Sequence, residues 1–434
     1  MGYEYTNTYE VSNLHRNVIF RNQAVPELPV TTFEANTPLS LWQALDQQCV
    51  QGDEGCDVLV LPHNSNLSNG RLFDPDWVEQ HSGTVPELLE LRARMEPVVE
   101  VFQHKGDSEC RNGFGDESDP LCTFEKLRPA DDETCGSSPG SGGMRLWGCS
   151  HRLDFVRNVL KEGLQQHRAH GLNPYKLGMI GSTDTHNGTP GLTRSIDFPG
   201  HVGTVDDTPE KRLGPGNITH DAFINNPGGL AGVWAVENSR DAIFEALRRR
   251  ETFATSGPRI PVRMFAGPGL PEDLCEREDR LELAYRNGVP MGGTLSRGSR
   301  SPRFALWAEA DPGVPERPGV GLDRIQIVKG WLDGDGQHEL VVDVISTDEP
   351  GQIDESTCDA SGGSSSLCAV WQDPDWDPDQ RAFYYARVLE VPTCRWSTRE
   401  CDRFAEAERP ERCDAGIVEP IHSQRAWGSP VWVE

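Results

Sequence analysis

The stretch Gly178-Met-Ile-Gly-Ser-Thr-Asp184-Thr-His186-Asn-Gly188 joins a short apolar run to a carboxylate and an imidazole, and its reading decides what fold the chain builds. Gly-Met-Ile suits a buried strand. Asp184 and His186 follow two residues apart, a spacing that in extended backbone sends both side chains to one face. A hard oxygen donor and a borderline nitrogen donor in one place suit divalent zinc, manganese or iron, and the glycines let the backbone turn away. So short a motif also serves as a polar turn, so its weight depends on how the other apolar runs end.

Those runs end alike. Val58-Leu-Val-Leu leads into Pro62-His63-Asn64, and Val98-Val-Glu-Val-Phe leads into Gln103-His104; Val18-Ile-Phe is a third short run. All three read as buried parallel strands. Between them Leu39 to Leu45, Val85 to Met95, and the stripe Leu153, Val156, Leu160, Leu164 have helical spacing. Alternation of this kind predicts an α/β sheet or barrel with ligands at the carboxyl ends of its strands. His63, His104, Asp184 and His186 then converge on one mouth as candidate metal ligands. Glu4 and His15, beside the first runs, join it. Glu100 shares a face with His104 only if the strand persists to it, and otherwise supports the ligands. Lys105 and Arg152 are candidates to hold an anionic substrate.

The 434 residues suffice for two domains. With 41 basic against 68 acidic residues the net charge is −27, which repels nucleic acid and confines any anion site to a local cluster. Twelve cysteines, many close in sequence (Cys49 and Cys56, Cys110 and Cys122, Cys135 and Cys149, Cys358 and Cys368, Cys394 and Cys401), favour disulfides with connectivity left open. That points to a periplasmic or extracellular chain, with a signal peptide expected upstream of Met1. No apolar run approaches the ~18 residues of a membrane span. Residues 1–255 read as the α/β part, with an inserted cysteine-containing loop at about 106–150. Its Gly136-Ser-Ser138-Pro-Gly140 lacks the strand and helix of a nucleophile elbow. From residue 256 to 434 short strands separated by turns predict a β-rich, sandwich-like region. Asp333-Gly-Asp-Gly and Asp373 to Asp379 read as a turn and a solvated loop, since neither has a full calcium-loop spacing.

Several segments carry a resemblance: Gly2-Tyr-Glu-Tyr-Thr, Asn13-Leu-His-Arg-Asn-Val-Ile-Phe-Arg, Leu61-Pro-His-Asn-Ser-Asn, Glu100-Val-Phe-Gln-His-Lys-Gly, Asn173-Pro-Tyr-Lys through Asp184-Thr-His, Ala254-Thr-Ser-Gly-Pro-Arg-Ile and the closing Trp-Gly-Ser-Pro-Val-Trp. Together they resemble the domain-of-unknown-function family numbered 3604, which is similar to the PHP (polymerase and histidinol phosphatase) superfamily. The resemblance implies a distorted β/α barrel, two or three divalent ions and hydrolysis, most often of phosphoesters. In it Glu4 resembles the bridging carboxylate, His63 and His104 the mid-barrel histidines, and Asp184 with His186 the final pair; His15 matches a motif without an assigned role. PHP proteins open with a His-x-His strand, which this sequence lacks. The resemblance therefore places the first strand and two ligands upstream of Met1.

The expected function is metal-dependent hydrolysis of a small-molecule, anionic-ester type of substrate by metal-activated water, with Asp184 and His186 at the chemistry. A non-catalytic binding protein with an incomplete site is the alternative, as is hydrolysis of an amide or sulfate ester. The oligomeric state is not legible.

Overall fold

The computed structural model describes residues 1–52, 54–78, 83–115, 118–216, 221–298, 300–315, 317–334 and 336–434. His81, His220 and Asp335 lie outside the described residues. The chain opens with β1 (Gly2–Tyr5), β2 (Arg16–Phe20), α1 (Pro38–Leu45), β3 (Val58–Pro62), α2 (Val85–Met95) and β4 (Val98–Gln103). It continues through α3 (Val156–His170), β5 (Gly178–Gly181), β6 (Leu230–Val233), α4 (Arg240–Arg248) and β7 (Thr252–Thr255). Local chemistry sets the helix starts. Thr37 and Ser40 cap α1 reciprocally with Pro38 behind them, and the Ser239 hydroxyl accepts the Ala242 N–H at 3.3 Å to start α4.

β4 and β5 pair in parallel, but β1–β2 and β2–β3 are antiparallel, contrary to the reading of Val18-Ile-Phe and Val58-Leu-Val-Leu as parallel strands. A short apolar run reports burial and carries no information about direction. The fold is mixed α/β with more strands than helices, and among the described residues no sheet closes into a barrel. β3 runs beside β4, and β5 beside β7, without ladders between them. Among the described residues β1 pairs only with β2 and β6 only with β7, which leaves both edges of this arc open.

The main strands that follow are β8 (Val262–Gly267), β9 (Arg303–Glu309), β10 (Leu322–Asp333), β11 (Gly336–Ser346), β12 (Ser366–Gln372), β13 (Ala382–Glu390), β14 (Arg425–Gly428) and β15 (Val431–Val433). β8, β9 and β12 form one sheet, whereas β7 at the end of the α/β part pairs with β14 in a larger sheet that also holds β6, β10, β13 and β15. Met264, Phe304, Leu306, Ile325, Tyr384 and Val388 fill the space between the two sheets. The opposite face of the larger sheet carries Val328, Phe383, Tyr385 and Trp427 onto Val156, Val159 and Leu160 of α3 and onto Val99 and Val101 of β4. Both faces of β13 are thus covered, so all nine of its residues are buried.

All twelve cysteines pair: 49–56, 110–122, 135–149, 275–368, 358–394 and 401–413. In the carboxyl-terminal part Cys275–Cys368 and Cys358–Cys394 each skip a cysteine that lies between them in sequence, whereas Cys401 and Cys413 are consecutive.

Candidate metal centre

Alternation along β3 sends Val58 and Val60 to a core beneath α1 and α2, and Leu59, Leu61 and then His63 to the inside of the arc. The register aligns Glu4 with Asn17 and Asn17 with Leu61, which brings Glu4 to the same face. One Glu4 oxygen, Oε1, lies 2.9 Å from His15 Nδ1 and 3.3 Å from His63 Nε2. Hydrogen bonds from His15 and then His63 hold the Glu4 carboxyl far below its usual range. Burial lowers His15, and it opposes His63 too, but there the carboxylates of Glu4, Glu100 and Asp184 prevail and raise the imidazole.

β4 supplies the next residues through a fault in its ladder. Glu100 pairs with Ile180 but Phe102 pairs with Gly181, so the strand gains a residue between them. Val99, Val101 and Phe102 all enter the core against α3, and Gln103 returns to the side of Glu100. Without the bulge these two would point to opposite faces. Glu100 is 3% exposed; it accepts the Asn64 N–H at 3.2 Å and the Ser182 hydroxyl, and burial pushes its carboxyl up to about 6. Gln103 is 1% exposed and its amide donates to Asn64 Oδ1 and, at 2.9 Å, to Asp184 Oδ2.

Asp184 and His186 do not leave a strand as expected, because β5 ends at Gly181. Asp184 adopts a left-handed φ of 49°, a conformation that Asp and Asn tolerate best among residues with a Cβ. This turn brings Asp184, His186 and His104 together, with one donor atom of each within 4.8 Å of the others. Glu4, His15 and His63 form a second trio by the same measure. Burial opposes the charge on Asp184, but His104 and Lys105 overcome it and hold the carboxyl well below its usual range. His104 is fully buried, its Nε2 is 3.5 Å from Asp184 Oδ2, and burial, then Lys105 and His201, lowers its imidazole. Its Nδ1, and Nε2 of His15, have no hydrogen-bond partner among the described residues. Buried imidazole nitrogens left bare beside carboxylates are the donor set a divalent cation takes, so the residues fit the ion.

His201 received no role in the sequence, yet its ring lies 4.2 Å from that of His104. Its Nε2 sits 2.5 Å from the Asn226 carbonyl, its own carbonyl accepts the His186 N–H at 2.7 Å, and burial lowers its imidazole to about 4. It follows Phe198-Pro-Gly in a segment without periodicity, so no sequence signal marks it. Lys105 contacts Asp184 Oδ2 directly. Arg152 is engaged instead by Glu162 at 2.5 Å and Gln337 at 3.4 Å. Cys110, Asp119 and Cys122 also cluster, but those two sulfurs form a disulfide.

The Gln103 amide ties the loop after His63 to the carboxylate of the other trio. Gln103→Leu, which keeps the volume and removes both donated bonds, is expected to weaken metal affinity by about 10–100-fold, as loss of a supporting hydrogen bond does. Titration calorimetry with Zn²⁺ or Mn²⁺ checks this, and an unchanged affinity would remove the role from Gln103.

No curated protein and no solved structure matches the chain. A family model described as "Protein of unknown function (DUF3604)" matches residues 1–434. The chain therefore belongs to the DUF3604 family.

Proposed function

We propose that the chain is a metal-dependent hydrolase of the phosphoesterase kind. One observation carries the reading: two trios of imidazole and carboxylate donors, Glu4–His15–His63 and His104–Asp184–His186, are linked through Glu100, which is hydrogen-bonded to Asn64 beside His63 and to Ser182 before Asp184. The PHP resemblance of the same segments supports it. Zinc, manganese or iron suit this mixture of nitrogen and oxygen donors.

Bound divalent ions supply Lewis acidity and water activated near neutral pH. The chain contributes the rest. Glu4 and Asp184 are held ionised, so both hold a cation without first losing a proton. His104 and His15 are kept neutral, as ligation requires. His186 is the exposed member of its trio, which suits contact with a substrate oxygen. Lys105, in contact with Asp184 at the centre itself, offers the cation for an anionic group, whereas Arg152 is held by Glu162. Six disulfides suit an extracellular or periplasmic setting, and among the described residues no helix is long and apolar enough to cross a membrane.

The test is elemental analysis of the purified chain after equilibration with zinc, manganese and iron, followed by phosphate mono-, di- and triesters beside an amide and a sulfate ester. At least one ion per chain and chelator-sensitive turnover of a phosphoester are expected. Less than one ion, with no turnover on any phosphoester, would sink the reading.

A further inference from the structure

Asp184 Oδ2 is crowded by nitrogen. It receives the Gln103 amide at 2.9 Å, has His104 Nε2 at 3.5 Å, and is in direct contact with the Lys105 ammonium. Gln103 and His104 are neutral neighbours of a carboxylate, but Lys105 is a cation in contact with the carboxylate that a divalent ion at His104, Asp184 and His186 would use. The two cannot coexist there, because a +2 ion within a few ångströms of an ammonium in a partly buried site repels it strongly. The two side chains keep about a fifth of their surface exposed, 19% for Lys105 and 21% for Asp184, so the ammonium has a way out. Its backbone does not leave with it. The Lys105 N–H is held by Gln103 Oε1 at 2.6 Å and its carbonyl by Asn66 Nδ2 at 2.9 Å. The displaced head therefore stays at the rim of the centre on a four-carbon tether.

We infer that Lys105 is an exchangeable cation of this site: it occupies Asp184 until a divalent ion displaces it, and only the displaced ammonium binds the anionic group of the substrate. The inference rests on the metal-hydrolase reading and adds a binding order, metal before anion. It also explains how a chain of net charge −27 keeps an anion site closed until the metal that serves it has arrived.

The test uses Lys105→Gln and Lys105→Arg in the full chain, with Mn²⁺ and inorganic phosphate as probes in titration calorimetry. In the wild type phosphate is expected to bind at least tenfold more tightly with Mn²⁺ present than without. Lys105→Gln is expected to act in opposite directions, with Mn²⁺ binding about tenfold tighter because its competitor is gone and phosphate binding to the loaded protein about tenfold weaker. General damage to the fold lowers both affinities, so the opposed signs identify the exchange. Lys105→Arg retains a competing cation and is expected to leave the Mn²⁺ affinity within a few-fold of wild type. If the wild type binds Mn²⁺ but Lys105→Gln leaves its Mn²⁺ affinity unchanged or lowers it, or if phosphate binds equally without Mn²⁺, the exchange is wrong while the hydrolase reading stands. A wild type that binds no metal removes both.

Discussion

Asp184→Asn is expected to cost one metal ion per chain and to lower ester turnover about 10³-fold or more, the equivalent of the several kcal/mol a catalytic ion supplies. The substitution is chosen for the backbone. Asp184 sits at φ 49°, and Asn accepts that left-handed conformation about as readily as Asp does, whereas other substitutions add strain there. The shape and, through the amide oxygen, the hydrogen bond from Gln103 are retained, while the charge and one acceptor oxygen are lost. Folding should survive, with an unchanged circular dichroism spectrum. The trio of Glu4, His15 and His63 does not include Asp184, so one ion should remain bound. Full metal content together with wild-type turnover would show that Asp184 holds no ion.

Much of this centre could be read from strand ends, and the remainder could not for identifiable reasons. Glu4, His63, His104, Asp184 and His186 stand out because each follows or interrupts an apolar run, and the arc of strands does bring them into two groups. Gln103 was invisible because its place depends on one extra residue in β4. Simple alternation puts Glu100, Phe102 and His104 on one face, and only hydrogen bonding to β5 shows that Phe102 turns to the core. His201 enters through tertiary packing of an irregular loop. Similarly, Val85–Met95 is read correctly as a helix because its apolar spacing repeats, whereas the antiparallel pairing of β2 with β3 depends on the path of the connection between them. The same limit hides buried charge. Glu109 looks like any polar residue of an inserted loop, and sequence gives no hint that it lies within a buried ionic network with Arg157 and Arg387.

Glu109→Gln is accordingly expected to destabilise the fold by about 3–5 kcal/mol at neutral pH, the usual cost of removing one partner from a buried charge network. Glu109 is 0% exposed and accepts from Arg157 Nη2 at 2.7 Å, Tyr385 Oη at 2.6 Å, Trp427 Nε1 at 2.6 Å and Arg387 Nη1 at 3.2 Å. Asp119 takes Arg157 at 3.0 Å and Arg387 at 2.9 Å, and Glu339 takes Arg157 at 3.1 Å and Lys161 at 2.6 Å. The network thus fastens the start of the inserted loop to α3 and to the larger sheet, which is the layer behind β4. Gln preserves the volume but leaves Arg157 and Arg387 short of one buried negative charge. The pH dependence gives the sign. Burial opposes ionisation of Glu109, yet Arg387 and Arg157 overturn it and hold the carboxyl far below its ordinary 4.5. A depressed folded-state pKa contributes stability that is complete above the unfolded value and is lost as pH falls below it. The gap between wild type and Glu109→Gln, read from urea midpoints, should therefore be about 2 kcal/mol smaller at pH ~3 than at pH ~7. A gap that is the same at both pH values would mean that shape, not the charge of Glu109, holds the loop to the sheet.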